Sequence, residues 1–194
     1  MLKNKADILQ KLDKETLKHS LNVAGLALSL GEAANLSNEA LMELTIGALF
    51  HDIGKIFIPK AVLFKKGRLT QEEMSIMKTH SILGYNYMKT YSDLSENSLK
   101  VILDNHERID GSGYPNGKKD DEISYFAKIV SICDVYDALV NKRTYKESMS
   151  KTDAIAILNE GRGSEFDSDL LSLFIQEVVK WAKVGQHAAE IARH

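Results

Sequence analysis

The sequence predicts an all-α protein, and three observations carry that expectation. Only two prolines, Pro59 and Pro115, occur in 194 residues, and proline is the residue that most disrupts a helix interior. Apolar residues recur at three- and four-residue spacing, the period of a helix face. Nowhere do β-branched and aromatic residues alternate with polar ones as a half-buried strand requires.

About seven helices are expected. The first spans 13–35 and aligns Leu17, Leu21, Ala24 and Leu28 on one stripe. The second opens at Ser37, a suitable N-cap, and turns Leu41, Leu44 and Ala48 inward. It stops near Gly54, with Pro59 just beyond. The third, 70–91, starts with Thr70 and Glu73 as a capping box and runs through Met74, Met77 and Leu83. The fourth spans 95–108. A loop over 109–123, rich in Gly, Asp, Asn and Lys, contains Pro115. Helices at 124–140, 150–160 and 168–184 complete a single domain of residues 1–184. Residues 185–194 are expected to be a short tail.

Composition narrows the function classes. Apolar residues make up 44% and charged residues 27%, the balance of a folded globular chain. Lys and Arg number 25 against 27 Asp and Glu, a net charge of −2. A broad basic surface for duplex nucleic acid is not expected, although a local pocket for phosphate is compatible. Cys133 is alone, which excludes an intrachain disulfide and fits a reducing compartment. No apolar run is long enough to cross a membrane, and the start MLKNKADILQ is too polar for a signal peptide. A cytoplasmic protein is expected.

The chemistry lies in the histidines and carboxylates. Six histidines occur: His19, His51, His80, His106, His187 and His194. The last two fall in the polar tail and are set aside. His51 is followed at once by Asp52, giving a nitrogen and a two-oxygen ligand side by side. Glu15 precedes His19 by four residues, so both share a helix face. His80 lies within the third helix, and His106 meets the glycine-rich loop. Asp134 and Asp137 follow an apolar run at i, i+3, and a buried acid is costly unless paired or metal-bound. Each has an ordinary structural explanation when taken singly. Together they place one or two ligands on each of several helices, which is how helical bundles build metal sites. Imidazole and carboxylate without thiolate suit Mn²⁺, Fe²⁺, Zn²⁺ or Ni²⁺.

In that order these residues resemble the HD-domain phosphohydrolase superfamily, and within it the HD-GYP branch. The segment His51-Asp52-Ile53-Gly54-Lys55-Ile56 is similar to the HD signature. The stretch from His106-Glu107-Arg108 through Gly113-Tyr114-Pro115 is similar to the extended GYP signature. Asp134-Val135-Tyr136-Asp137 and Arg143-Thr144-Tyr145 resemble the closing acid and phosphate-contact region. The resemblance implies an HD-domain helical bundle with a metal site in its core. It implies two or three divalent ions, iron or manganese first, with nickel or zinc as alternatives. It carries Glu15, His19, His51, Asp52, His80, Asn105, His106 and Asp134 over as ligand positions. Lys55 joins Asp52 as a catalytic position, and Tyr114, Arg143 and Lys146 become substrate contacts. The implied substrate is cyclic di-GMP or a related nucleotide, opened to pGpG or GMP, in a bacterial signalling setting that also offers protein partners. The family usually has two consecutive histidines where this chain has Asn105-His106, so one ligand of the second metal is an amide.

Phosphodiester hydrolysis needs an activated water in line with the leaving oxygen, and two neighbouring metals can supply that while neutralising charge. Asp52 is the natural bridge between them. Lys55 can donate to a phosphate oxygen, or can merely cap a helix C-terminus. Arg143 and Lys146 can grip a phosphate, or can be a solvated helix end. Gly111 and Gly113 can serve a tight turn with positive φ, or close backbone approach to substrate. Three functions remain open: a cyclic-dinucleotide phosphodiesterase, a degenerate sensing or partner-docking module, and a phosphohydrolase of another nucleotide phosphoester.

Overall fold

Side chains that cap their own helices set most of the element boundaries. The computed structural model describes residues 4–141 and 148–191, and for residue 179 and residues 181–191 the backbone alone. The helices are α1 (Lys5–Leu9), α2 (Lys14–Ala33), α3 (Asn38–Phe50), α4 (Lys60–Leu63), α5 (Gln71–Lys78), α6 (His80–Tyr91), α7 (Glu96–Asp104), α8 (Tyr125–Val140), α9 (Lys151–Glu160) and α10 (Ser168–Ile191). Two 3₁₀ turns, Ile53–Phe57 and Asp120–Glu122, join them. No strand occurs among the described residues, so the all-α expectation holds. Asp13, Ser37, Thr70, Ser95, Ser124 and Ser150 each accept a hydrogen bond from the first-turn backbone of the helix that follows. Thr70 and Glu73 close the expected capping box.

All seven expected helices are present, with corrections. The helix expected over 70–91 breaks at Thr79 into α5 and α6. His80 is therefore the first residue of α6 and not a mid-helix residue. The break has a packing cause: a Cβ on Gly54 would lie 1.8 Å from the His80 carbonyl oxygen and 2.7 Å from the Gly84 nitrogen. Gly54 thus does more than stop a helix, since it lets the turn after α3 press directly on the start of α6. α3 ends at Phe50, and the chain tightens into the first 3₁₀ turn. The short α1 and α4 carry too few turns for a periodic signal. α10 continues to Ile191, past the expected boundary at 184.

The inward faces also need correction. On α2 the buried residues are His19, Ser20, Val23, Ala24, Ala27, Leu30 and Gly31, so Ala24 of the expected stripe is inward, whereas Leu21 is 55% exposed. On α5 nothing is buried.

Two apolar clusters make the core. The larger joins Val23 and Leu30 of α2 to Leu44 of α3, Val101 of α7, Ile129 and Ile132 of α8, Leu158 of α9 and Phe174 of α10. The smaller joins Ile8 of α1, Phe50, Ile53, Met88 of α6 and Ile102 of α7. α2 packs on α3 and α8, and α6 packs on α7 and the first 3₁₀ turn. The polar side chains of interest lie where these elements converge.

Candidate metal centre

Two histidines donate Nδ1–H to the carbonyl three residues earlier, and so turn Nε2 toward the interior. His51 Nδ1 lies 2.7 Å from the Ala48 carbonyl, and His80 Nδ1 lies 2.8 Å from that of Met77. That bond fixes the tautomer and leaves Nε2 with a lone pair, the form a metal takes. His19 is oriented by a carboxylate instead: its Nδ1 lies 2.6 Å from Asp137 Oδ2, and its Nε2 lies 2.8 Å from Asp134 Oδ1. His106 stands just past α7, with Nε2 3.1 Å from His80 Nε2.

The side chains form two groups. His19, His51 and Asp134 bring ligand atoms within 4.8 Å of one another, and so do Asp52, His80 and His106. Asp52 stands between them. Its Oδ2 is 3.4 Å from His51 Nε2 and 3.7 Å from His19 Nε2, while its Oδ1 is 3.4 Å from His80 Nε2. One carboxylate oxygen faces each group.

Two buried atoms test whether a divalent cation fits. His51 Nε2 and Asp52 Oδ1 have no hydrogen-bond partner. An unpaired buried polar atom costs about 1–3 kcal/mol, so a folded chain rarely keeps one without a ligand for it. Both atoms belong to the groups of converging nitrogens and oxygens, and the donor set is one that divalent transition metals accept. These residues fit a divalent metal site.

Charge in the site follows from burial and pairing. Burial alone would depress the His19 pKa, but the hydrogen bonds with Asp134 and Asp137 outweigh it and raise it to about 9. Burial pushes His106 down to about 3 and also lowers His80. Burial opposes ionisation of Asp52, yet Lys55 and His51 hold it well below the ordinary carboxylate range. Asp134 is held low in the same way, chiefly by His19.

The remaining expected residues are placed as follows. Lys55, in the last turn of the first 3₁₀ element, donates from Nζ to Asp52 Oδ2 at 2.6 Å. Glu15 lines the cavity above the site but belongs to neither group. Asn105 caps the C-terminus of α7, fully buried, and neither amide atom has a hydrogen-bond partner. Tyr114 stacks on the His106 ring with centroids 4.8 Å apart and an interplanar angle of 19°, while the Lys78 ammonium lies 5.0 Å from its ring centre. Burial raises its hydroxyl pKa. Arg143 and Lys146 lie outside the described residues.

Three residues were not assigned from the sequence. Asp137 orients His19, and its i, i+3 relation to Asp134 was the available signal. Glu107, only 2% exposed, accepts from the backbone N–H groups of Asn116 and Lys118 and so ties down the glycine–tyrosine–proline loop. Asp104 anchors the same loop by accepting from Lys118 Nζ with both oxygens at 2.8 Å. Of the two loop glycines, Gly111 has the expected positive φ of 84°. Gly113 does not: it sits against backbone, where a Cβ would lie 2.4 Å from the Arg108 nitrogen.

Above the two groups opens a cavity of about 300 Å³, bordered by Lys55, His80, His106 and Tyr114 on the site side. Such a buried, two-centre cluster beneath a cavity has the form of a metal-dependent hydrolase site.

The HD domain family matches residues 3–170, and the chain belongs to that family. It is 39% identical over 150 residues to a Vibrio cholerae protein named a probable cyclic di-GMP phosphodiesterase, a match covering 74% of this chain and 34% of the relative. It is 36% identical over 179 residues to the Xanthomonas campestris cyclic di-GMP phosphodiesterase response regulator RpfG, covering 91% of this chain and 47% of the relative. The chain thus spans between a third and a half of the length of these relatives. Among solved structures, Bd1817, an HDG"Y"P protein from Bdellovibrio bacteriovorus, shares the fold with a TM-score of 0.71 at 21% identity, covering 85% of this chain and 52% of that one. No helix of the described residues is long and apolar enough to cross a membrane.

Proposed function

We propose that this chain is the catalytic HD-GYP domain of a cyclic di-GMP phosphodiesterase, opening the cyclic dinucleotide to pGpG or cleaving it to GMP. The observation that carries the reading is Asp52, buried between the two ligand groups with one oxygen toward each. His19, His51 and Asp134 would hold one ion and His80 and His106 the other, with Asp52 shared. Iron or manganese suits this donor set best, and nickel or zinc would also be accepted. A bound pair of divalent ions supplies an activated water at neutral pH and neutralises charge on the phosphoryl group.

The side chains account for the rest of the chemistry. Asp137 fixes the His19 ring so that Nε2 faces the site. Lys55, on the cavity wall, is placed to donate to a phosphate oxygen or to the leaving oxygen while keeping Asp52 ionised. Tyr114 borders the site, with its hydroxyl available to substrate. Arg143 and Lys146 are assigned to the phosphate by their resemblance to contact positions. Glu15, on the cavity wall one turn before His19, is the candidate for a third ion. The Asn105 amide oxygen is assigned to the second ion, where it binds a transition metal more weakly than imidazole would.

The unpaired Asn105 amide also favours a second reading, a nucleotide-sensing module without turnover. Incubation with cyclic di-GMP and added Mn²⁺ or Fe²⁺, followed by separation of products, decides between them. Weak turnover that rises with metal is expected, and Asp52→Ala should lose both metal and turnover. Binding of nucleotide with no product at any metal concentration would favour the sensing module. A panel of other nucleotide phosphoesters tests the substrate.

A further inference from the structure

The cavity has two unlike sides. α2 contributes polar groups, among them Lys18 and Asn22, whereas the segment 62–77 is mostly apolar, with Val62, Leu63, Phe64, Leu69 and Met77 beside the one charged residue Lys65. Within that apolar wall Phe64 is 47% exposed. Single exposed hydrophobic residues are ordinary on a protein surface. Phe64 differs because it borders the cavity over the candidate metal centre and because its loop is pinned. It caps the C-terminus of α4. Its neighbour Lys65 pairs with Glu73, and the same Glu73 carboxylate accepts from the Thr70 N–H that closes the loop. The backbone that carries the ring is thus tied to α5, and the ring itself remains half exposed.

Besides the imidazoles of the site, two aromatic side chains line the cavity among the described residues, Phe64 and Tyr114. Tyr114 is already engaged, stacked on His106 with Lys78 over its ring. Phe64 has no such ring contact, and it alone of the two has half its surface in solvent. A cyclic dinucleotide has charged phosphates, which the metal floor would take, and flat nucleobases, which need an apolar or aromatic face. Base-on-aromatic stacking is the general solution to that need.

We propose that Phe64 is the stacking platform for one nucleobase of the substrate, on the cavity side that Leu69 and Met77 also line. The assignment rests on the cyclic-dinucleotide reading above. Its test is equilibrium binding of a non-hydrolysable phosphorothioate analogue of cyclic di-GMP to Mn²⁺-loaded wild type, Phe64→Ala and Phe64→Trp. Loss of the ring should weaken binding roughly 5- to 150-fold, the range of a single stacked base. Phe64→Trp should keep wild-type affinity. Metal content and hydrolysis of methyl p-nitrophenyl phosphate, a diester without a base, should be unchanged in all three. Equal affinity of wild type and Phe64→Ala would overturn the stacking role alone. So would a parallel loss of activity on the base-free diester, which would mark a collapsed pocket. If wild type itself failed to bind the analogue, the functional reading would fall and the platform with it.

Discussion

His19 carries its proton to about pH 9, because Asp134 and Asp137 hold the ring from both sides. Ligation through Nε2 requires that proton to leave. Metal uptake at pH 7 should therefore release a proton, and affinity should climb as pH rises toward 9. Calorimetric titration with Mn²⁺ in buffers of different protonation enthalpy measures this; a heat independent of buffer would remove His19 from the ligand set. Asn105 makes a second prediction at this scale. Asn105→His should tighten the weaker site by about 10- to 100-fold, the usual cost of a compromised ligand or its support. Identical Mn²⁺ titrations of the variant and wild type would make the asparagine a neutral replacement. The convergence of His19, His51, His80 and His106 was readable from their order along the chain. The division of labour between Asp134 and Asp137 was not, because both acids share one face of α8 and only distance tells the group on Nε2 from the group on Nδ1.

Helix starts were readable because each is written locally, as a serine, threonine or aspartate whose side chain bonds the first turn. The break at Thr79 was not, because its cause is a residue 25 positions earlier: Gly54 pressed against the His80 carbonyl. The same holds for the loop after α7, whose glycines were visible but whose anchors, Glu107 and Asp104, bond to groups 9 to 14 residues further on. The Asp104–Lys118 pair gives the element-scale prediction. Burial raises the Asp104 pKa, and Lys118 offsets only part of that rise. Lys118→Met removes the offset, leaves a buried carboxyl without its cation and should cost roughly 1–3 kcal/mol at neutral pH. A carboxyl with a raised folded-state pKa contributes stability that is present at low pH and lost as pH rises through that pKa. The deficit should therefore be larger at pH 8 than at pH 5. Urea unfolding of both proteins at the two pH values checks it, and a deficit that grew on acidification would refute this account of the pair.

Across the whole molecule, the candidate ligands come from α2, the end of α3, the start of α6, the turn after α7 and α8. A cation at their meeting point would bind the folded chain and not the unfolded one. At a hundredfold excess over its dissociation constant it should add about 2.7 kcal/mol, raising the melting temperature of a chain this size by roughly 5–10 °C. Thermal unfolding before and after chelation measures the shift, and its absence would mean that the buried cluster takes up no ion. The fold class was readable because it depends on proline scarcity and helical period summed over the whole chain. The inward face of α2 was read only in part, with Ala24 buried and Leu21 exposed, because burial there is decided by what packs against the helix.

The cavity proposed to admit substrate also opens directly onto His19, Asp52, His80 and His106. Two visitors that share that mouth would form a queue. The ion would enter first, while the mouth is clear, and a nucleotide arriving afterwards would become the stopper that keeps it in. Chelators should then strip the resting protein quickly and the nucleotide-bound protein slowly. In a cell short of metal, each dinucleotide held in the pocket would guard the ion beneath it until product left.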